Sequence, residues 1–301
     1  MTLRLVASWA LVTTLQLPAF RAETRLVVVH ATVRNDRGEL VTNLTKDAFA
    51  VYENGKRQGI ALFRSDDVPV SLGLLIDNSG SMRTKRSRVE AASLAFARAS
   101  NPRDEIFVLN FADKPRIDVP FTSDVHQLEA GIARVDSIGG TAMRDAVAAA
   151  EGYLDERATR DRRALVIVTD GNDNESEIPL QCVRTVAQQR DIVVYAIGLL
   201  NGQDQGKARN AREELNALTE STGGIAYYPG SLEQIDEVAL DLAHQIRTQY
   251  TLAYLPSNQS LDGSFRKIKV EARGPTHLVV LTRPGYRATA EALSRPGGPE
   301  R

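Results

Sequence analysis

The chain has 301 residues, 43% of them hydrophobic and 25% charged, the composition of an ordinary globular protein with enough length for one large core or two medium ones. A formal net charge of -1 gives no general electrostatic reason to bind nucleic acid or an anionic membrane. The lone cysteine, Cys182, excludes an internal disulfide and a thiolate-rich metal site.

Arg4 precedes an uncharged stretch from Leu5 to Leu17, followed by Pro18, Ala19, Phe20, Arg21 and Ala22. A charged lead, a short apolar run and a final small residue form the pattern of an export signal over residues 1–22. The run is too short for an ordinary membrane span, and no later segment is long enough to cross a membrane. The expected location is therefore outside the cytoplasm: periplasm, cell surface or medium.

Residues 24–66 read as β structure. Val27-Val28-Val29 opens a strand rich in β-branched residues, Asn35-Asp36-Arg37-Gly38 makes a turn and Leu40-Val41 resumes the strand. Asn54-Gly55, after Phe49-Ala50-Val51-Tyr52, is a hairpin signal, and Ile60–Phe63 closes the segment.

Residues 68–247 change rhythm. Val70–Ile76 is a nearly continuous apolar run ending at Asp77, the mark of a strand buried on both faces of a parallel sheet. A helix with Val89, Ala92, Phe96 and Ala97 on one face follows, then a strand at Ile106–Phe111 and an edge strand at Arg116–Val119. Helices are expected at 125–134 and 143–157, a second central strand at Ala164–Val168, a helix holding Cys182, and a strand at Ile192–Gly198. A helix over 211–221, a short strand at 225–228 and a final helix over 232–246 complete the alternation. The cluster Arg83, Lys85, Arg86 and Arg88 reads as a solvated helix start, and Cys182 as a buried packing residue.

Residues 248–288 return to β structure, with strands at 250–255, 265–271 and 277–283, and residues 289–301, rich in Pro and Gly, read as a disordered tail. The fold class is thus α/β, a doubly wound and mostly parallel sheet with helices on both faces. The flanking β segments are too small to stand alone and are expected to pack together as one small sandwich.

Three short motifs fall where such a sheet places its ligands, beyond the carboxyl ends of the strands: Asp77-Asn78-Ser79-Gly80-Ser81, Gly139-Gly140-Thr141 and Thr169-Asp170-Gly171. They bring two carboxylates and several hydroxyls, hard oxygens suited to Mg²⁺, Mn²⁺ or Ca²⁺. Each motif alone is also an ordinary turn or helix cap; their joint order on successive elements is the specific signal.

Together, Asp77-x-Ser79-x-Ser81, Gly140-Thr141-Ala142-Met143-Arg144-Asp145 and Thr169-Asp170-Gly171 resemble the metal ion-dependent adhesion site of the von Willebrand factor A family. The resemblance spans roughly residues 68–247. It implies that Ser79 and Ser81 coordinate a divalent cation directly, that Asp77 and Asp170 bind it directly or through water, and that Thr141 joins when a ligand is bound. It also implies a protein partner whose Asp or Glu carboxylate fills the open position. Leu40–Gln58 and the segments 250–254, 266–270 and 283–287 resemble the "VWFA-related" proteins known from Acidobacteria, which implies a bacterial, exported architecture. The expected function is a metal-dependent adhesion or scaffold module, not an enzyme. The alternatives are a structural module that works without metal and a metal-assisted hydrolase. The second has no base to hand, since His30, His126, His244 and His277 lie outside the motifs. Asp145 reads either as a helix-start carboxylate or as a group holding a water or backbone amides near the site; Asp173, Asn174 and Glu175 read as a polar rim loop.

Overall fold

The computed structural model describes residues 26–133 and 138–289. The segment expected to be an export signal, 1–22, and all of the expected tail 289–301 except Thr289 lie outside the described residues.

The chain opens with β1 (Val27–Asn35), β2 (Phe49–Glu53), β3 (Lys56–Gln58) and β4 (Ile60–Arg64). The α/β region follows: β5 (Val70–Asp77), α1 (Arg86–Ala99), β6 (Glu105–Phe111), β7 (Pro115–Thr122), α2 (Val125–Ile132), α3 (Met143–Arg157), β8 (Arg162–Thr169), α4 (Leu180–Gln189), β9 (Ile192–Gly198), α5 (Gln205–Thr222), β10 (Ala226–Tyr227) and α6 (Ile235–Arg247). It closes with β11 (Tyr250–Tyr254), β12 (Phe265–Ala272), β13 (Leu278–Leu281) and β14 (Gly285–Arg287).

The central sheet has the order β10-β9-β8-β5-β6-β7, all parallel except the edge strand β7. Every residue of β5 is buried, as its nearly continuous apolar run requires. Its alternating side chains feed two cores. Leu74 and Ile76 join Val166 and Val168 under α1 and α6, against Val89, Phe96, Ile235 and Leu242. Leu75 joins Leu165 and Ile167 under α3, α4 and α5, against Val147, Leu154, Val183 and Leu215. Counted from β5, the strand order is that of a doubly wound sheet whose direction of growth reverses between β5 and β8. That reversal opens a crevice beyond the carboxyl ends of these two strands.

Two antiparallel four-stranded sheets flank this unit, β13-β1-β11-β4 and β14-β12-β2-β3. Each takes strands from both ends of the chain: β1 lies between β11 and β13, and β2 pairs with β12. The strands of both sheets meet in one cluster containing Val29, Val51, Leu252, Tyr254, Val270 and Tyr286. The strand β12 shows the period directly: Arg266, Ile268 and Val270 are buried, Lys267 and Lys269 exposed. Within the hairpin, Asn54 and Gly55 both take positive φ, +48° and +81°, as a tight turn matching the strand twist requires.

Polar contacts fasten the flanking sheets to the α/β unit. Arg34 on β1 reaches Tyr227, Asp241 and Gln245. Arg283 reaches Asp191 at 3.2 Å and the carbonyl of Val28.

Several expectations are corrected. Cys182 is exposed, because α4 turns Val183 and Ala187 inward and the preceding position sits about 100° away around the helix. Leu40-Val41 forms only a bridge, Arg34 to Leu40, rather than a resumed strand. The helix expected from residue 211 starts at Gln205, because Asp204 accepts from the amides of Gly206 and Lys207 and caps it there. Arg86 is buried and Lys85 points inward, so the basic cluster is not simply a solvated helix start; both residues bear on the site.

Candidate metal centre

The site begins where β5 and β8 run out. These strands pair in parallel with Ile76 opposite Val168, so Asp77 and Thr169 end at the same level and Asp170 lies one residue beyond. Asp77 is fully buried and Asp170 is 2% exposed. After Asp77 the chain folds back on itself. The Ser79 amide donates to Oδ1 of Asp77 at 2.8 Å, and a single 3-10 turn, Gly80–Met82, leads toward α1. Met82, with no exposed surface, pins that turn into the core.

The oxygens form a chain of contacts. Ser79 Oγ lies 3.0 Å from Ser81 Oγ, and Ser81 Oγ donates to Oδ1 of Asp170 at 3.0 Å. On the inner side, Thr169 Oγ1 donates to Oδ2 of Asp77 at 2.6 Å and accepts from the Gly171 amide at 2.9 Å. Ser79, Asp77 and Asp170 are buried while Gly80 and Ser81 face solvent, so the group is closed beneath and open above.

Thr141 is delivered by a different loop. The carbonyl of Gly139 accepts from the Gly80 amide at 3.2 Å, tying this loop to the serine turn. The Thr141 amide donates to Asn174 Oδ1 at 2.8 Å, and its carbonyl accepts from the Asn174 amide at 3.0 Å. Both glycines are needed for close approach. Gly139 takes φ +94° with the Asp113 carboxylate 2.5 Å from where a Cβ would sit, and a Cβ on Gly140 would overlap the side chain of Glu175. Direct contacts thus join four of the five expected residues, and Thr141, itself buried, is placed beside them through its backbone.

Electrostatically the two carboxylates differ. Burial pushes Asp77 up to about 6, against the hydrogen bonds from Thr169 and Ser79, with the nearby Asp170 charge pushing in the same direction as burial. Asp170 instead carries a cation: Lys85 Nζ lies 3.0 Å from its Oδ2 and also donates to the Leu199 carbonyl at 3.0 Å.

The donor set fits a hard divalent ion. All its donors are oxygens, and an octahedron with metal–oxygen bonds of about 2.1 Å has neighbouring oxygens about 3.0 Å apart, the spacing from Ser79 to Ser81 and from Ser81 to Asp170. Clusters of three or more His, Cys, Asp or Glu that could hold a metal are absent among the described residues; with two carboxylates, this set depends on its hydroxyls.

The surrounding residues have structural tasks. Asp145 accepts from the amides of Glu177 and Ile178 at 3.2 and 2.9 Å, so it holds the neighbouring loop. Asp173 is clamped by Arg144, and Asn174 holds Thr141. Arg86 bonds Asn78 Oδ1 and the Ile132 carbonyl, bracing the serine turn from behind. Asn110 reaches Asp118 and the Gly131 carbonyl. Thr169 stands in its motif with no role assigned from sequence, and the site residues missed from sequence are Lys85 and Gln203, which donates to the Asp170 carbonyl at 2.6 Å. Thr169 had a signal, a hydroxyl at the last position of a central strand, whereas Lys85 and Gln203 reach the site only through the tertiary fold.

A family model described as von Willebrand factor type A domain matches residues 72–172, a span holding all five expected ligands. No curated protein matches the chain. Among solved structures, a von Willebrand factor type A protein from Catenulispora acidiphila is similar with TM-score 0.53 at 13% identity, over 90% of this chain and 75% of that one. Proximal thread matrix protein 1 from the mussel byssus, in a structure described as having a zinc-occupied MIDAS motif, gives 0.52 at 16% identity, over 64% and 49%. An aerotolerance-related membrane protein from Bacteroides fragilis gives 0.50 at 17% identity, over 59% and 98%. At these identities the likeness is one of fold. The matched span lies within the central α/β unit, and the switch-point sheet gives that unit the fold of a von Willebrand factor type A domain.

Proposed function

We propose that this chain is an exported binding module that captures a carboxylate of a protein partner through a divalent cation, Mg²⁺ or alternatively Mn²⁺ or Ca²⁺, held by Asp77, Ser79, Ser81, Thr141 and Asp170. The observation that carries this reading is the run of oxygens from Ser79 through Ser81 to Asp170 at 3.0 Å steps, closed toward the core and open at Ser81. When bound, the ion supplies a Lewis-acidic position for an anionic oxygen. The protein's residues orient that position. Thr169 fixes the Asp77 carboxylate, the buried Met82 fixes the serine turn, and Asn174 fixes the backbone of Thr141. The same fold carries a zinc-occupied site of this type in the mussel protein.

A binding role is favoured over catalysis by the surroundings. His30 pairs with Asp191 and His277 with Asp36, so neither is committed to the site. In the same reading, residues 24–66 and 248–288 act as one β unit carrying the 68–247 domain, with the signal at 1–22 removed. No helix among the described residues is long and apolar enough to cross a membrane. A module working without metal has one observation in its favour, the Lys85 ammonium already paired with Asp170.

Water-proton relaxation of the Mn²⁺-loaded protein tests the carboxylate step. Acetate added to the complex should lower the relaxation enhancement as a carboxylate oxygen displaces bound water. An enhancement that acetate leaves unchanged would refute capture of a carboxylate.

A further inference from the structure

Lys85 is the N-cap residue preceding α1, its own amide bonded to the Met82 carbonyl at 2.9 Å. Its side chain, 14% exposed, turns inward to Asp170, whose side chain is 3% exposed. The ammonium has two acceptors on different strand ends, Oδ2 of Asp170 after β8 and the carbonyl of Leu199 after β9, each at 3.0 Å. Leu199 is itself held, its amide donating to the Thr169 carbonyl at 2.9 Å. The lysine is therefore a fixed part of the site's wall. Asp170 is divided between two neighbours: Oδ2 carries the ammonium, and Oδ1 faces Ser81 and the row of oxygens.

The charges set what this division does. Asp77 and Asp170 with a dication alone would sum to zero and leave the loaded site no net charge with which to draw a further anion. With Lys85 the loaded site is cationic. The ammonium and the dication also share one carboxylate and repel each other across it, in a site too buried for water to screen them well. Resting on the function proposed above, we propose that Lys85 is a built-in counter-charge that weakens the site's hold on a lone divalent cation and couples firm metal binding to the arrival of an anionic carboxylate.

The test is calorimetric titration of the full chain with Mn²⁺ and with Mg²⁺, in the absence and presence of acetate, for the wild type, Lys85→Met and Asp77→Ala. Methionine keeps much of the apolar stem and removes the charge. Lys85→Met should bind either metal more tightly than the wild type without acetate, on the order of tenfold, and acetate should enhance metal affinity in the wild type far more than in the variant. Metal binding by Lys85→Met where the wild type shows none would support the proposal equally. Unchanged or weaker affinity in Lys85→Met, or equal enhancement by acetate, would overturn the role of Lys85. Metal binding that is still lost in Asp77→Ala would then leave the metal site itself standing. Absence of metal binding in both wild type and Lys85→Met, with acetate present, would overturn both readings. Should Lys85→Met fail to fold, the wild type still decides the matter. The lysine ε-methylene NMR signal assigned to residue 85 through Lys85→Arg should shift when Mg²⁺ is added, and a stationary signal under saturating metal would contradict the proposal.

Discussion

Thr169 Oγ1 donates to Oδ2 of Asp77 at 2.6 Å, joining the last residues of two neighbouring parallel strands at the point where the sheet reverses its direction of growth. The bond is buried on both sides and holds a carboxylate that burial alone would drive toward its neutral form. Thr169→Val keeps the shape and removes the donor. The metal-free protein should lose about 1–3 kcal/mol of stability, the cost of a buried hydrogen bond to a charged acceptor. Urea denaturation in chelator, compared with the wild type, checks this; an unchanged midpoint would show that the bond contributes nothing.

Burial pushes Asp77 up to about 6, and a cation held there would need it deprotonated. Metal and proton therefore compete, and apparent affinity should fall on the order of tenfold on going from about pH 7 to about pH 5. Calorimetry across that range should give a curve that flattens above Asp77's titration. A flat response throughout would mean that Asp77 is not a ligand.

Glu151 on α3 supplies a second pH effect away from the site. It is 1% exposed, and burial pushes its carboxyl up to about 8, against the pull of Arg190. The folded chain thus holds a proton that the unfolded chain releases above its ordinary value of 4.5. This stabilising contribution is complete below 4.5 and is lost as pH rises through about 8, at up to about 1.4 kcal/mol per pH unit. Glu151→Gln should flatten that slope, leaving the variant more stable than the wild type at about pH 9 by a few kcal/mol. Thermal melts over pH decide it; parallel curves would contradict the assignment.

Two glycines should respond in opposite directions. A Cβ on Gly224 would overlap the carbonyl oxygen of Val194, whereas nothing lies within 4 Å of one on Gly152 in α3. Gly224→Ala should destabilise by about 2 kcal/mol or more through overpacking, and Gly152→Ala should stabilise by about 0.5–1 kcal/mol through the lower entropy of the unfolded chain. Denaturant midpoints of the pair check both signs.

Most of the α/β region was legible because its strands are buried on both faces. Val70–Ile76 is a nearly continuous apolar run and Ala164–Val168 a continuous one, and each is followed by the oxygen-bearing residue that the strand end presents. The pairing of β1 with β11 and β13 was less legible. It joins residues more than two hundred positions apart, and only the inadequacy of each flank alone pointed to it. Lys85 escaped detection because its neighbours Arg83, Arg86 and Arg88 gave the segment the look of a solvated surface, while its acceptor lies on another strand. Cys182 is exposed although Val183, Val186 and Ala187 beside it are apolar, because one residue of phase separates the buried face of this amphipathic helix from the exposed one.

Calorimetric titration of the wild type and Asp77→Ala with Mg²⁺ at about pH 7.5 is the most direct test of the central claim. The account predicts saturable binding near one equivalent in the wild type and none in a variant that remains folded. Folded wild type that binds no metal, even with acetate supplied, or an Asp77→Ala variant that binds as the wild type does, would contradict it.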